Sequence, residues 1–178
     1  MPADYKEKAF EAAIEDHLLA HGYAKGDNRD HDAASAPDGY ERARALFPGV
    51  FVAFVQATQP QAWSALEKLH AGTTGEVLVE ALCKAIAASE RGSLEVIRHG
   101  FKCYGRQIDV AFFKPSSGLN PETLRLYGMN VLTVTRQVHY SGTDGRGGEK
   151  SIDVLLGLNG VPIVTAELKN PMCGQCSS

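Results

Sequence analysis

Two acidic residues and a lysine near the end of the chain have the spacing of a site that cleaves phosphodiesters. Asp153 lies in one apolar run, and Glu167 and Lys169 come at the end of the next. Residues two apart on a strand share a face, and two converging carboxylates repel each other unless a cation lies between them. Mg²⁺ is the hard cation that prefers oxygen ligands, and a lysine beside it can orient the attacking water and stabilise the charge developing at phosphorus. The three residues therefore predict hydrolysis of a phosphodiester.

Solvated surface charge is the ordinary explanation of such spacing, because Glu and Lys two apart near a strand end are common. Here, however, both acids interrupt nearly continuous apolar runs, IDVLL (152–156) and VTAEL (164–168). A charge inside such a run is costly unless something compensates it, and carboxylates of that kind tend to mark functional sites. The context favours a functional site.

The hairpin between the two runs sets a geometric condition on this hypothesis. Asn159-Gly160 is a strong hairpin signal, and in a strict two-residue turn the numbers of cross-strand partners add up to 319. Asp153 then pairs with Ala166, which places Asp153 and Glu167 on opposite faces. A shared metal ion requires an even sum, such as 318 or 320. We therefore expect a three-residue connection with a bulge.

The cysteines offer a second chemistry. Cys173 and Cys176 have the C-x-x-C spacing of a redox pair or half a zinc site, but a second pair of zinc ligands is not suitably placed. A thiol redox protein stays an alternative that a titration of thiol reactivity would test. Cys83 is predicted to fill the core, and His17 and His21, one helical turn apart, are predicted to have surface or packing roles.

Length and composition fit one ordinary globular domain. The chain has 178 residues, 44% hydrophobic and 22% charged, and such a chain needs no disulfides to fold. The longest apolar run, 50–55, is too short to span a membrane, and the first residues lack a secretory pattern, so the expected location is the cytoplasm. Residues 1–90 carry a net charge of −6 and residues 91–178 carry +3. The overall acidity argues against a protein that coats nucleic acid non-specifically.

The first half of the chain has the periodicity of helices, and the second half that of strands. Apolar residues at helical spacing predict helices at 6–21, 39–47, 50–58, 61–70 and 73–89. In the first of these, Phe10, Ile14 and Leu18 lie on one stripe, and 26–39 is expected to be a long loop.

The second half begins with short β-rich pieces over 101–113, followed by a helix that starts at Asn120. A strand over 131–139 and a glycine-rich turn over 141–148 precede the hairpin. Helices early and a β-meander late predict an α+β domain with helices packed on a central sheet.

The hairpin resembles a known nuclease motif. Residues 151–171, SIDVLLGLNGVPIVTAELKNP, closely resemble the nuclease motif in the amino-terminal part of the restriction (R) subunit of type I restriction enzymes. The similarity extends upstream through GYERARALF (39–47), QATQP (56–60) with Trp63, FKP (113–115) and residues 130–140. It covers nearly the whole chain and is far more specific than the D…E-x-K pattern alone.

The resemblance implies a restriction-endonuclease-like core of the PD-(D/E)xK superfamily, with a mixed central sheet flanked by helices. It also implies a Mg²⁺-dependent endodeoxyribonuclease. In that family the positions matching Asp153 and Glu167 bind Mg²⁺, and the position matching Leu168 contributes its backbone carbonyl. The lysine matching Lys169 supports the attacking water.

The family often adds a glutamate from the first helix to the metal site. Glu11 is our candidate, and Glu15, one turn later on the same face, is the alternative. Two solvated helix glutamates explain the sequence equally well. Arg136 and Gln137, on the strand before the hairpin, are further candidates to face the substrate backbone.

The resemblance implies partners as well. R subunits work with methylation and specificity subunits that read double-stranded DNA. These partners would supply most of the affinity for DNA that an acidic domain lacks. Family R subunits are several times longer, because an ATP-driven translocase follows the nuclease domain, yet this sequence contains no G-x-x-x-x-G-K-[ST] loop. We therefore expect residues 1–178 to be a single nuclease-like domain, a fragment of a longer R subunit without its motor or ATP site. The competing hypothesis is a catalytically inactive nuclease fold that docks to DNA or to partner subunits.

Overall fold

The computed structural model describes residues 3–30, 36–140 and 150–168, and these residues form six helices and eight strands. The helices are α1 (Ala3–Ala20), α2 (Pro48–Thr58), α3 (Pro60–Leu69), α4 (Thr74–Ala88), α5 (Ser93–His99) and α6 (Pro121–Gly128). The strands are β1 (Ala24–Lys25), β2 (Asp27–Asp30), β3 (Gly39–Tyr40), β4 (Phe101–Cys103), β5 (Arg106–Ile108), β6 (Leu132–Tyr140), β7 (Lys150–Leu158) and β8 (Val161–Ala166).

A mixed four-stranded sheet in the order β1-β6-β7-β8 forms the centre of the fold. Strand β1 pairs with β6 in parallel, whereas β6, β7 and β8 form an antiparallel meander. Helix α1 packs on β6, and β2–β3 and β4–β5 form two separate small sheets. This arrangement confirms the predicted α+β class and is consistent with a restriction-endonuclease-like fold.

The main apolar core lies among α2, α3, α4, α5 and the β4–β5 pair. Its fully buried members include Phe51, Leu66, Leu78, Leu82 and Ile108. Each such side chain stabilises the fold by about 1.5–3 kcal/mol relative to an exposed one. A smaller cluster joins β3 to β6 and β7 and consists of Tyr40, Phe47, Val138 and Leu155. None of the helices in the described ranges has the length and apolar character needed to cross a bilayer.

The helices predicted to start at 50, 61 and 120 begin within two residues of those positions, where a proline or a capping side chain sets the start. Pro48 and Pro60 begin α2 and α3, at a position where the missing N–H of proline costs no hydrogen bond. The Asn120 side chain caps α6 by accepting a hydrogen bond from the Glu122 N–H at 3.0 Å.

Two local predictions are wrong, and one short helix was not predicted. Residues 39–47 form no helix, because β3 is followed by a turn in which Glu41 pairs with Leu46 in an isolated bridge. Leu46 is buried in the main core, whereas Phe47 is buried in the smaller cluster. The side chains of these two neighbours therefore point to different sides, and the bent chain allows this arrangement. The expected loop over 26–39 contains β2, which pairs with β3. Helix α5, only seven residues long between two glycines with positive φ, was missed. The predicted glycine-rich turn over 141–148 lies outside the described residues.

Candidate functional site

The turn between β7 and β8 is a two-residue hairpin turn. Asn159 and Gly160 have φ angles of +52° and +85°, the left-handed values that such a turn requires. Leu158 pairs with Val161 beside the turn, so partner numbers there add up to 319. The predicted three-residue connection is wrong.

A bulge further along β8 nevertheless produces the even sum that a shared site requires. Gly157 pairs with Pro162, but Leu156 pairs with Val164, which leaves Ile163 as the extra residue. On the side of the bulge away from the turn, the numbers of paired residues add up to 320, as in the pairing of residues 154 and 166. The required parity is therefore present, and its source is a bulge that follows the second ladder pair from the turn.

This register brings Asp153 to the end of β8. One more pair beyond the last one in the ladder would match Asp153 with Glu167. Oδ2 of Asp153 accepts a hydrogen bond from the backbone N–H of Leu168 at 2.7 Å. Glu167 follows the last residue of β8 and is exposed. The hairpin thus joins Asp153 to the segment that carries the second predicted acid.

Gln137 of β6 contacts Asp153 from the opposite side. The β6–β7 ladder is paired on both sides of Gln137 but omits it, and its φ angle is +52°. Its side-chain Nε2 donates to Oε1 of Glu11 at 2.8 Å and to Oδ1 of Asp153 at 3.3 Å. The carboxylates of Glu11 and Asp153, from different elements, therefore converge on one nitrogen atom.

Helix α1 turns Glu11 and Glu15 towards the sheet and leaves Phe10 of the predicted apolar stripe exposed, whereas Ile14 and Leu18 of that stripe are half-buried. Glu11 is 2% exposed and Glu15 is 6% exposed, whereas Phe10 is 57% exposed. Arg136 donates to Glu11 at 3.3 Å and to Glu15 at 3.4 Å, and Lys25 pairs with Glu15 at 3.3 Å. A buried carboxylate is tolerated only with such partners. The explanation of two solvated helix glutamates is wrong.

The two helix glutamates have different neighbours. Glu11 shares Gln137 with Asp153, whereas the hydrogen bonds of Glu15 lead to Lys25 and Arg136. The geometry therefore favours Glu11 as the helix residue of the site. A cavity of about 260 Å³ opens beside this group and is lined by Glu15, Lys25, Gly26, Asn28, Arg136 and Gln137.

The donor set suits a hard divalent cation. Glu11 and Asp153 offer carboxylate oxygens, the ligands that Mg²⁺ prefers. Both carboxylates accept a hydrogen bond from the same side-chain amide, that of Gln137. In the part of the chain that the structure describes, no three His, Cys, Asp or Glu side chains lie close enough together to hold an ion. Glu167 would have to turn inward to complete the set, and Lys169 lies beyond the described residues.

Within the described residues, the other sequence candidates share no hydrogen bond with Glu11 or Asp153. Cys83 packs against the main core, as predicted, and burial raises the pKa of the Cys83 and Cys103 thiols, which makes both weak nucleophiles at neutral pH. The rings of His17 and His21 lie against each other in a tilted arrangement with their centroids 4.2 Å apart, and both residues are exposed. The C-x-x-C segment over 173–176 is outside the described residues.

Sequence reasoning missed the contact of Gln137 with both acids. The sequence offers Arg136 and Gln137 as candidates to face the substrate backbone, and in the structure both side chains donate hydrogen bonds to carboxylates of the protein itself. The available signal was a polar pair inside the otherwise apolar strand VLTVTRQVHY (131–140).

Comparison with known proteins places the chain in a family. The family model described as the N terminus of the type I restriction enzyme R protein matches residues 4–176. No curated protein and no solved structure matches the chain. Because the family match covers nearly all of its length, the chain belongs to the family of type I restriction enzyme R protein N termini.

Proposed function

We propose that this chain is the Mg²⁺-dependent endodeoxyribonuclease domain of a type I restriction–modification enzyme and hydrolyses phosphodiester bonds of double-stranded DNA. Family membership supports this proposal. The observation that carries it is the convergence of Asp153 from the hairpin and Glu11 from α1 on one amide nitrogen. A buried acid that meets a half-buried one in this way is costly for folding, which points to a role in binding a cation.

In this proposal, four groups of the chain hold the ion. Asp153, Glu167 and Glu11 contribute carboxylates, and Leu168 contributes its backbone carbonyl. The Leu168 N–H fixes Oδ2 of Asp153, which leaves Oδ1 facing the other acid. When bound, Mg²⁺ neutralises negative charge on the scissile phosphate and makes water a better nucleophile.

Lys169 acts on the water and on the developing charge. It follows Glu167 by two residues, so an extended chain turns both side chains to one face. Its ammonium group orients the attacking water and stabilises the negative charge that grows at phosphorus.

The acidic character of the chain supports an arrangement in which partners bind most of the DNA. Residues 1–90 carry a net charge of −6, which weakens any phosphate-based affinity of this domain alone. The methylation and specificity subunits of the complex read the DNA sequence and hold the duplex against the hairpin. The complex works on DNA in the cytoplasm.

Plasmid nicking in Mg²⁺ tests the proposal. The 178-residue chain is assayed alone and with methylation and specificity subunits, beside Lys169→Ala and a control, Lys114→Ala. Lys114 is exposed and lies far from the hairpin in sequence. We expect Lys169→Ala to lose at least about 100-fold in rate, the usual cost of removing a group that stabilises transition-state charge, and Lys114→Ala to keep the wild-type rate. Rates no higher than the protein-free background for all three proteins in both settings would favour the docking module.

A further inference from the structure

A neutral amide occupies the place where the proposed function requires a cation. Nε2 of Gln137 lies 2.8 Å from Oε1 of Glu11 and 3.3 Å from Oδ1 of Asp153. An amide nitrogen donates hydrogen bonds but has no lone pair available for a metal. The amide and a divalent ion therefore compete for the same two carboxylates.

Among the hydrogen bonds of the described residues, Gln137 is the donor to Oε1 of Glu11 and to Oδ1 of Asp153, and other groups bind the second oxygen of each acid. The second oxygen of Glu11, Oε2, accepts from Arg136 at 3.3 Å, and the second oxygen of Asp153, Oδ2, accepts from the Leu168 N–H at 2.7 Å. Each carboxylate is thus anchored through one oxygen and bridged through the other. Displacement of the amide would release one oxygen from each acid without loosening either anchor.

Gln137 is held in this position by its own backbone and by Ser151. Its φ angle of +52° lies in the left-handed region, which residues other than glycine adopt at an energetic cost. Oε1 of Gln137 accepts a hydrogen bond from the Ser151 hydroxyl at 3.2 Å. This contact orients the amide so that its nitrogen faces the two acids.

We propose that Gln137 bridges Glu11 and Asp153 in the metal-free protein and is displaced when the divalent ion binds, so that its amide sets the affinity for the ion. This inference rests on the proposed function. Without the bridge the two carboxylates lose a shared donor and repel each other, which destabilises the metal-free state. The ion-bound state no longer uses the bridge, so its free energy is unchanged. Removal of the amide should therefore tighten metal binding, whereas removal of a group that merely orders the ligands would weaken it.

Calorimetric titration with Mn²⁺ and thermal melting test the bridge. Wild type, Gln137→Leu and the control Gln56→Leu, which alters an exposed glutamine of α2, are compared with and without Mn²⁺. We expect Gln137→Leu to melt at a lower temperature than wild type without metal and to bind Mn²⁺ about tenfold more tightly. The difference in melting temperature should shrink at saturating Mn²⁺, and Gln56→Leu should match wild type in both measurements.

The outcomes separate this inference from the proposed function. Equal or weaker binding by Gln137→Leu, with wild type binding Mn²⁺ through Asp153, would overturn the bridge and leave the proposed function standing. Absence of Mn²⁺ binding in all three proteins would overturn both. If Gln137→Leu does not fold, Ser151→Ala replaces it, because this change removes only the anchor of the amide. We then expect binding about two- to threefold tighter than wild type, and unchanged or weaker binding would overturn the inference.

Discussion

The apolar core of α2–α5 and the junction between α1 and the sheet bury very different groups. Phe51, Leu66 and Leu78 are completely buried in the core, and each gains free energy simply by leaving water. At the junction the buried side chains are Glu11 and Glu15, for which the same transfer is costly. Burial in the core therefore accounts for the stability of the fold. Burial of two glutamates at the junction does not increase stability and needs another explanation.

The junction compensates its charges one by one. Arg136 and Lys25 neutralise Glu15, and Arg136 and Gln137 satisfy Glu11. Even a well-made buried ion pair is often no more stabilising than apolar side chains of similar volume. The comparison teaches that stability alone does not explain the face with which α1 packs on the sheet, whereas the proposed cation site would explain it.

The largest effect should come from a change in the core. Leu78→Ala is expected to lower the free energy of unfolding by about 3 kcal/mol, because it leaves a cavity where a fully buried side chain packed. Urea denaturation measures this loss, and Mn²⁺ affinity of the remaining folded protein should not change.

The matched control for the core is Leu119→Ala, since Leu119 is 91% exposed. We expect this change to alter the free energy of unfolding by less than about 0.5 kcal/mol. A loss as small in Leu78→Ala would contradict the assignment of the core.

An intermediate effect should separate the two glutamates of the junction. Glu11→Gln is expected to weaken Mn²⁺ binding about tenfold, equivalent to about 1.4 kcal/mol, because Glu11 shares a contact with Asp153. Glu15→Gln removes the same charge from the same helix face but should change the affinity by less than about twofold. The reverse order in calorimetry would assign the site to Glu15 instead.

The smallest effect concerns a thiol in the core. Burial raises the pKa of Cys103, so the folded protein keeps this thiol neutral where the unfolded chain, with a pKa of about 8.5, already loses its proton. The resulting stabilisation is fully present below about pH 8.5 and is lost as the pH rises through the folded pKa. Unfolding measured between pH 8 and 10 should therefore depend less on pH in Cys103→Ala than in wild type. An identical pH dependence in the two proteins would contradict burial of a neutral thiol.

The sequence predicts the framework of the fold where short-range physics decides it. Asn120 sets the predicted start of α6, Pro48 and Pro60 set the starts of α2 and α3 within two residues of the predicted ones, and Asn159-Gly160 sets the hairpin turn. Side-chain alternation alone also gives the condition that Asp153 and Glu167 share a face only if the numbers of cross-strand partners add up to an even sum.

The remaining features depend on contacts between distant segments. The bulge at Ile163 could be placed only with the register of β7 and β8 known. The position of Gln137 beside Glu11 joins residues 126 apart in sequence, and no local pattern predicts that contact. Phe10 was expected to face the core because apolar spacing favours that face, yet the acids of α1 occupy it.

Mn²⁺ titration of wild type and Asp153→Asn tests the central claim most directly. Asparagine keeps the shape of the side chain and its acceptor for the Leu168 N–H, but it removes the charge. We predict that wild type binds Mn²⁺ at least about tenfold more tightly than Asp153→Asn, with equal melting temperatures of the two metal-free proteins within a few degrees. Equal affinities, or no binding by wild type, would contradict a metal site built on the hairpin and α1.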